Sequence, residues 1–160
     1  MDCRSEISDL IELLREKGLT ISFAESCTGG MVGAMMTDEP GVSDVFMGSA
    51  VTYSNGSKES LLGVRHDTLT EHGAVSEETA KEMATGARRA YSSDIAASVT
   101  GIAGPSGATD SKPIGLVFIA VTDGTSINCS MNRFSGDRDS VRRKTVHSLI
   151  RYVTDFVGGL

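Results

Sequence analysis

Tryptophan is absent from this chain, and aromatic residues make up only 5% of its 160 positions. Its core must therefore be aliphatic, with seven methionines available to fill irregular gaps. Cysteine is scarce as well. Cys3, Cys27 and Cys129 are an odd number with no C-x-x-C pair, which argues against a disulfide framework or a structural zinc site. His66, His72 and His147 are the only histidines, and their spacing fits neither a histidine triad nor a local metal motif. Positive charge is in deficit, with 15 Lys+Arg against 21 Asp+Glu and a net charge of −6. A nucleic-acid binder working through a general basic field is thereby disfavoured. The longest near-apolar run, Ile114 to Val121, is far too short to cross a bilayer, so no membrane association is expected. The start, Met1-Asp2-Cys3-Arg4, is charged and lacks an apolar h-region, and a cytoplasmic location is expected.

Glycine, by contrast, is in excess: 18 in 160 residues, where about 7% is usual. With 39% hydrophobic and 22% charged residues and no repeat or linker, residues 1–160 read as one globular domain. Residues 4–17 carry Ile7, Leu10, Ile11 and Leu14 on one helical stripe, with Gly18 placed as a C-terminal cap. A strand is expected at 20–24, a small-residue helix at 28–37, and a strand at 49–53 closed by the turn signal Asn55-Gly56. Ser76-Glu77-Glu78 opens a helix running to about residue 91. A buried-type strand at 95–99, a hairpin of 114–122 with 126–134, and a helix at 138–157 complete the chain. The order predicts an α/β layered fold with a mixed sheet.

Three segments carry chemistry. Ala24-Glu25-Ser26-Cys27-Thr28-Gly29-Gly30 lies where a strand gives way to a helix. Free amides at Thr28, Gly29 and Gly30 suit an anion or an oxyanion, and Ser26 suits a nucleophile. Ser26 or Thr28 as a simple helix cap fits the same residues, and Cys27 is a competing nucleophile. A serine needs a base, and with histidine poorly placed, lysine is the remaining choice. Tyr53-Ser54-Asn55-Gly56-Ser57-Lys58 follows a strand end and opens a short helix, so both Tyr53 and Lys58 can face a cleft at the sheet edge, although a solvated helix residue fits the spacing of Lys58 equally. The third segment runs from Thr100 through Gly101, Gly104, Gly107 and Thr109 to Lys112. It follows a buried strand, where open α/β sheets bind ligands, and its amides with Lys112 suit an anion. Arg138, with Arg142 and Arg143, adds guanidinium groups at a later helix start.

These segments recur in a known order. A-E-S-C-T-G-G (24–30), V-T-Y-S-N-x-x-K (51–58), L-G-V (62–64), H-G-A-V-S (72–76), T-G-I-A-G-P-x-G (100–107), K-P-x-G (112–115) and F-S-G-D-R (134–138) resemble the CinA C-terminal-domain family. That family includes stand-alone nicotinamide-nucleotide amidases. The length leaves no room for the N-terminal domain of its longer members. The resemblance implies a single α/β domain of three layers, α/β/α around a mixed sheet, that deamidates nicotinamide mononucleotide with Ser26 as nucleophile, Lys58 as base and Tyr53 positioning or relaying the proton. It implies a small nucleotide substrate, no metal or organic cofactor, and is compatible with a homodimer. The substrate phosphate is expected near Lys112 or Arg138, and Glu25 is the acid nearest in sequence for the pyridinium. Where family members often carry two glycines, this chain has Gly107-Ala108.

Overall fold

The structure, a computed structural model, describes residues 3–160. In chain order it runs α1 (Arg4–Lys17), β1 (Ile21–Glu25), α2 (Met31–Thr37), a 3-10 turn (Val42–Asp44), β2 (Phe46–Val51), α3 (Asn55–Leu62) and α4 (His66–His72). Then follow α5 (Glu77–Tyr91), β3 (Ile95–Gly101), β4 (Leu116–Thr122), β5 (Ile127–Arg133) and α6 (Arg138–Gly158). The five strands form one mixed sheet in the order β2-β1-β3-β4-β5. β1 pairs in parallel with both β2 and β3, whereas β3–β4 and β4–β5 are antiparallel. The fold is the expected α/β/α sandwich.

The layers follow from which residues each strand turns to either side. Ile21 and Phe23 of β1, Ile95, Ala97 and Val99 of β3, and Val117, Ile119 and Val121 of β4 join the buried stripes of α1, α2 and α6. This is the larger core, and it is aliphatic as the composition required. On the opposite face, Ala24 and Ala96 meet Met83 and Ala87 of α5, together with Leu62 and Leu69 from α3 and α4. Small side chains bring α5 close to the sheet there, and Ser98 Oγ donates to the Ala80 carbonyl at 2.5 Å. Gly86 does the same between helices, because a Cβ at that position would stand 2.0 Å from the Leu62 carbonyl oxygen.

Helix ends obey local chemistry. Gly18 takes the left-handed conformation (φ 65°) and closes α1. Ser76 caps α5 by accepting from the Thr79 amide, and Asp137 caps α6 by accepting from the Ser140 amide. The differences from expectation also have physical causes. The short helix expected to open in 53–58 is α3, and it takes in Asn55-Gly56 as its first turn instead of leaving them as a separate turn, because the Ser54 hydroxyl accepts from the Ser57 amide. The expected helix at 28–37 begins only at Met31, since Gly29 and Gly30 adopt left-handed φ of 61° and 97°. α4 went unread, for this short polar helix buries only Thr68 and Leu69 and so has no periodic stripe. Among the described residues, no helix is long and apolar enough to cross a membrane.

Candidate active site

β1 ends at Glu25, and the next residue, Ser26, keeps its amide on the Val99 carbonyl at 3.1 Å, one step beyond the strand. Ser26 is thereby fixed at the carboxyl end of the central parallel strands. The turn behind it is organised by Glu25, whose side chain is completely buried. One carboxylate oxygen accepts from Thr28 Oγ1 (2.7 Å) and from the Gly30 and Val32 amides (3.0 and 3.1 Å). The other accepts from the Gly33 amide (2.9 Å) and Ser49 Oγ (2.7 Å). Neither Ser26 nor Thr28 caps α2; a carboxylate from the preceding strand does.

That arrangement corrects two expectations. The Gly30 amide is engaged by Glu25 and the Gly29 amide by the Ser26 carbonyl, so these glycines hold no anion. Thr28 is buried against Glu25, and none of the three lines the cavity beside Ser26. Glu25, with both oxygens engaged, is not available to a pyridinium. The Thr28 amide donates to no acceptor among the described residues, and the Cys27 amide turns only to its own sulfur. Arg142 of α6 holds this stretch from outside, donating to the Cys27 and Thr28 carbonyls at 3.1 and 2.9 Å.

Lys58 reaches Ser26 from α3. Its Nζ donates to the Thr52 carbonyl at 2.7 Å and to Ser26 Oγ at 3.2 Å, and the residue is only 1% exposed. No carboxylate pairs with it among the described residues. An ammonium buried in this way is disfavoured, and burial lowers the Lys58 pKa from its ordinary 10.5, with a smaller opposing effect from the Cys27 sulfur. Burial acts oppositely on Cys27, whose thiol is pushed up to about 11. Cys27 therefore remains protonated at neutral pH, while burial favours the neutral amine of Lys58. This disfavours Cys27 as the nucleophile, since a thiol needs its thiolate form.

A cavity of about 310 Å³ opens onto this pair, within the size range of small-molecule clefts. Ser26, Cys27, Lys58 and Tyr53 form one side, Ala74 and Val75 another, and residues 100–104 with Ser106 and Gly107 a third. Gly104 and Gly107 take left-handed φ of 81° and 95°, which bends the loop around the opening. Thr100 Oγ1 donates to the Ala74 carbonyl at 2.7 Å and ties two of these walls together. Arg138, in the first turn of α6, closes the rim by donating to the Gly104 carbonyl (2.7 Å) and to the Tyr53 hydroxyl (3.1 Å).

The structure thus brings Ser26, Lys58, Tyr53, Thr100, Gly101, Gly104, Gly107 and Arg138 to one cavity. Tyr53 differs in detail from expectation. Its hydroxyl meets Arg138, not Ser26 or Lys58, and the residue is 62% exposed. Lys112 and Thr109 lie elsewhere. Lys112 Nζ donates to the His72 carbonyl and lines a separate depression, while Thr109 forms a local turn with the Lys112 backbone. The walls Ala74, Val75 and Ile102 carry no chemical signature and were not legible as site residues. Arg142 was visible as part of an arginine cluster, but not its backbone targets.

Comparison with known proteins places these features in a group. The family model described as the CinA C-terminal domain matches residues 4–157. A CinA-like protein of Endomicrobium trichonymphae is 53% identical over 138 residues, covering 86% of this chain and 32% of that protein. A CinA-like protein of Thermotoga maritima is 43% identical over 150 residues, covering 94% and 36% respectively. The chain thus spans about a third of the length of these curated relatives. Among solved structures, a CinA superfamily protein from Klebsiella pneumoniae superposes with a TM-score of 0.97 at 30% identity, covering 100% of both chains. A competence/damage inducible protein from Agrobacterium tumefaciens gives 0.92 at 37% identity, covering 96% of this chain and 94% of that one.

Proposed function

The chain belongs to the CinA C-terminal-domain family, and from that premise we propose that it is an amidase that converts nicotinamide mononucleotide to nicotinate mononucleotide and ammonia. The observation that carries the proposal is the 3.2 Å contact between buried Lys58 Nζ and Ser26 Oγ at the floor of a cavity. A neutral amine in hydrogen-bond reach of a serine hydroxyl is what a serine–lysine acyl transfer requires.

In the proposed reaction, neutral Lys58 takes the Ser26 proton as Oγ attacks the carboxamide carbon. The Thr52 carbonyl holds the amine in place and accepts from the ammonium that forms. The Cys27 amide, next to the nucleophile and turned only to its own sulfur among the described residues, is the donor best suited to the oxyanion. The ammonium of Lys58 then protonates the departing nitrogen, and ammonia leaves. Water, activated by the same amine, hydrolyses the nicotinoyl ester and frees Ser26. Arg138 and the backbone of 101–107 suit the substrate phosphate. No carboxylate lines the cavity, so the aromatic face of Tyr53 is the element suited to a cationic pyridinium.

The test is ammonia release from nicotinamide mononucleotide by the purified chain and two variants. Wild type and Cys27→Ser are expected to turn over, and Ser26→Ala to be inactive. Turnover by Ser26→Ala would remove the assigned nucleophile. Ligand binding by wild type without ammonia would make the chain a nucleotide-binding module instead.

A further inference from the structure

Away from this cavity, three side chains distant in sequence converge where α1 meets α6. Cys3 is the residue preceding α1, Glu6 lies in the first turn of that helix, and His147 is midway along α6. The spacing of three at a helix start turns Glu6 back toward Cys3, and the packing of α1 on α6 delivers the imidazole. Cys3 Sγ stands 3.6 Å from His147 Nδ1 and 3.5 Å from Glu6 Oε2, and His147 Nδ1 stands 2.6 Å from the same Glu6 oxygen. Among the described residues this is the one group of three potential ligand atoms lying within 4.8 Å of one another.

We propose that Cys3, Glu6 and His147 form a binding site for a divalent transition-metal cation of the zinc class. The edge lengths support this. With zinc at about 2.3 Å from sulfur, 2.05 Å from nitrogen and 2.1 Å from oxygen, tetrahedral angles put the ligand atoms about 3.6 Å (S···N), 3.6 Å (S···O) and 3.4 Å (N···O) apart. Two of the three separations, 3.6 and 3.5 Å, already match. Only the His147–Glu6 separation of 2.6 Å must open, by roughly 0.8 Å, to admit the cation. The donor set also balances charge, because a thiolate and a carboxylate with a neutral imidazole offset the two positive charges of the ion. Cys3 binds as the thiolate, so its thiol proton is released, without electron transfer.

Three protein ligands leave a fourth position. Cys3 and His147 line a cavity of about 210 Å³ that also includes Met31, Met35, Arg143 and Lys144. The two methionines keep the site partly apolar. Arg143 is paired with Asp139 and Lys144 donates to the Ser135 carbonyl, so both charges are directed away from the ligand atoms. Water or a small anion from this cavity completes the coordination. The bound ion ties the start of α1 to the middle of α6. Sequence spacing gave no sign of it, because the third ligand lies 144 residues from the first.

The test is titration of the metal-stripped full chain with Co²⁺, followed by Zn²⁺ displacement, in the absence of nucleotide, so that its outcome is independent of the amidase proposal. One equivalent of Co²⁺ is expected to give a thiolate-to-cobalt charge-transfer band with tetrahedral visible absorption, and Zn²⁺ to erase both. Cys3→Ser should abolish the charge-transfer band, and Cys129→Ser should leave it intact. His147→Ala and Glu6→Gln should each weaken binding by more than about a hundredfold, beyond the 10- to 100-fold typical of residues that only support a ligand. Circular dichroism checks that each variant is folded, and Glu6→Gln serves if either of the others is not. Absence of the band at one equivalent, or binding unchanged in Glu6→Gln, would reduce the cluster to an ordinary His–Glu ion pair beside a thiol.

Discussion

Replacing Lys58 with methionine separates the chemical role of the amine from its effect on stability. Methionine keeps an unbranched side chain of similar length in a site only 1% exposed, so the fold should survive. Activity should not. Loss of a general base typically removes about 10²–10⁴-fold in rate, and here Ser26 is left without its only basic neighbour. Stability should respond in the opposite sense at low pH. The folded pKa of Lys58 lies below the ordinary 10.5, so between those two values the unfolded chain binds more protons and wild-type stability rises with pH. Below the folded pKa, wild type carries the full penalty of a buried ammonium, and above 10.5 it carries none. The difference in unfolding free energy, wild type minus Lys58→Met, should therefore climb across that window. It gains about 1.4 kcal/mol for each pKa unit of depression. Urea denaturation of both proteins from pH 6 upward measures it. Cys27 and Cys129, both pushed up to about 11 by burial, titrate in the opposite sense but in both proteins, and largely cancel in the difference. Two results would refute the reasoning: an active Lys58→Met, or identical pH dependence of stability in the two proteins.

Because the exposed Tyr53 hydroxyl meets Arg138 and not the Ser26–Lys58 pair, Tyr53→Phe should lower kcat by less than about tenfold, the scale of one solvent-exposed hydrogen bond. Arg138→Ala should instead raise KM for a phosphorylated substrate with a smaller effect on kcat; steady-state kinetics on both variants separates these outcomes. Glu25→Gln leaves an amide facing hydrogen-bond donors, and two donors that lose their acceptor cost about 1–3 kcal/mol each, which chemical denaturation will detect together with loss of activity from a disordered nucleophile turn. Gly86→Ala drives a methyl to 2.0 Å from the Leu62 carbonyl, so α3 must shift. A stability loss of about 1–3 kcal/mol is expected, and, since Lys58 rides on α3, a fall in activity at temperatures where the protein is still folded.

Elements with strong local signals were legible in advance, while those set by partners were not. The α1 stripe with its Gly18 cap, the Ser76 cap of α5 and the hairpin of β4 with β5 all follow from neighbours in the chain. α4 buries too little to show a period, and Asn55-Gly56 has turn-forming composition that the Ser54 cap overrides. Lys112 looked as good an anion ligand as Arg138. Their difference arises from which loop folds back on which helix: Arg138 reaches Gly104, and Lys112 reaches His72.

Sequence by itself determined the order of helices and strands and hence the α/β class, because periodicity of three to four and of two selects helices and strands, and the composition required an aliphatic core. The glycine excess also marked the loop at 101–107, which lines the cavity beside Ser26. It equally marked 29–30, where the glycines serve a different end, giving the chain the left-handed turn that lets Glu25 cap α2. Only the tertiary structure decided what each titratable group experiences. An isolated Lys58 prefers its charge and an isolated Glu25 prefers water. Burying one with no carboxylate beside it among the described residues, and surrounding the other with five donors, disfavours the charge of the first and commits the second to architecture. Desolvation and hydrogen bonding are properties of the assembled neighbourhood, and no local stretch of sequence contains them.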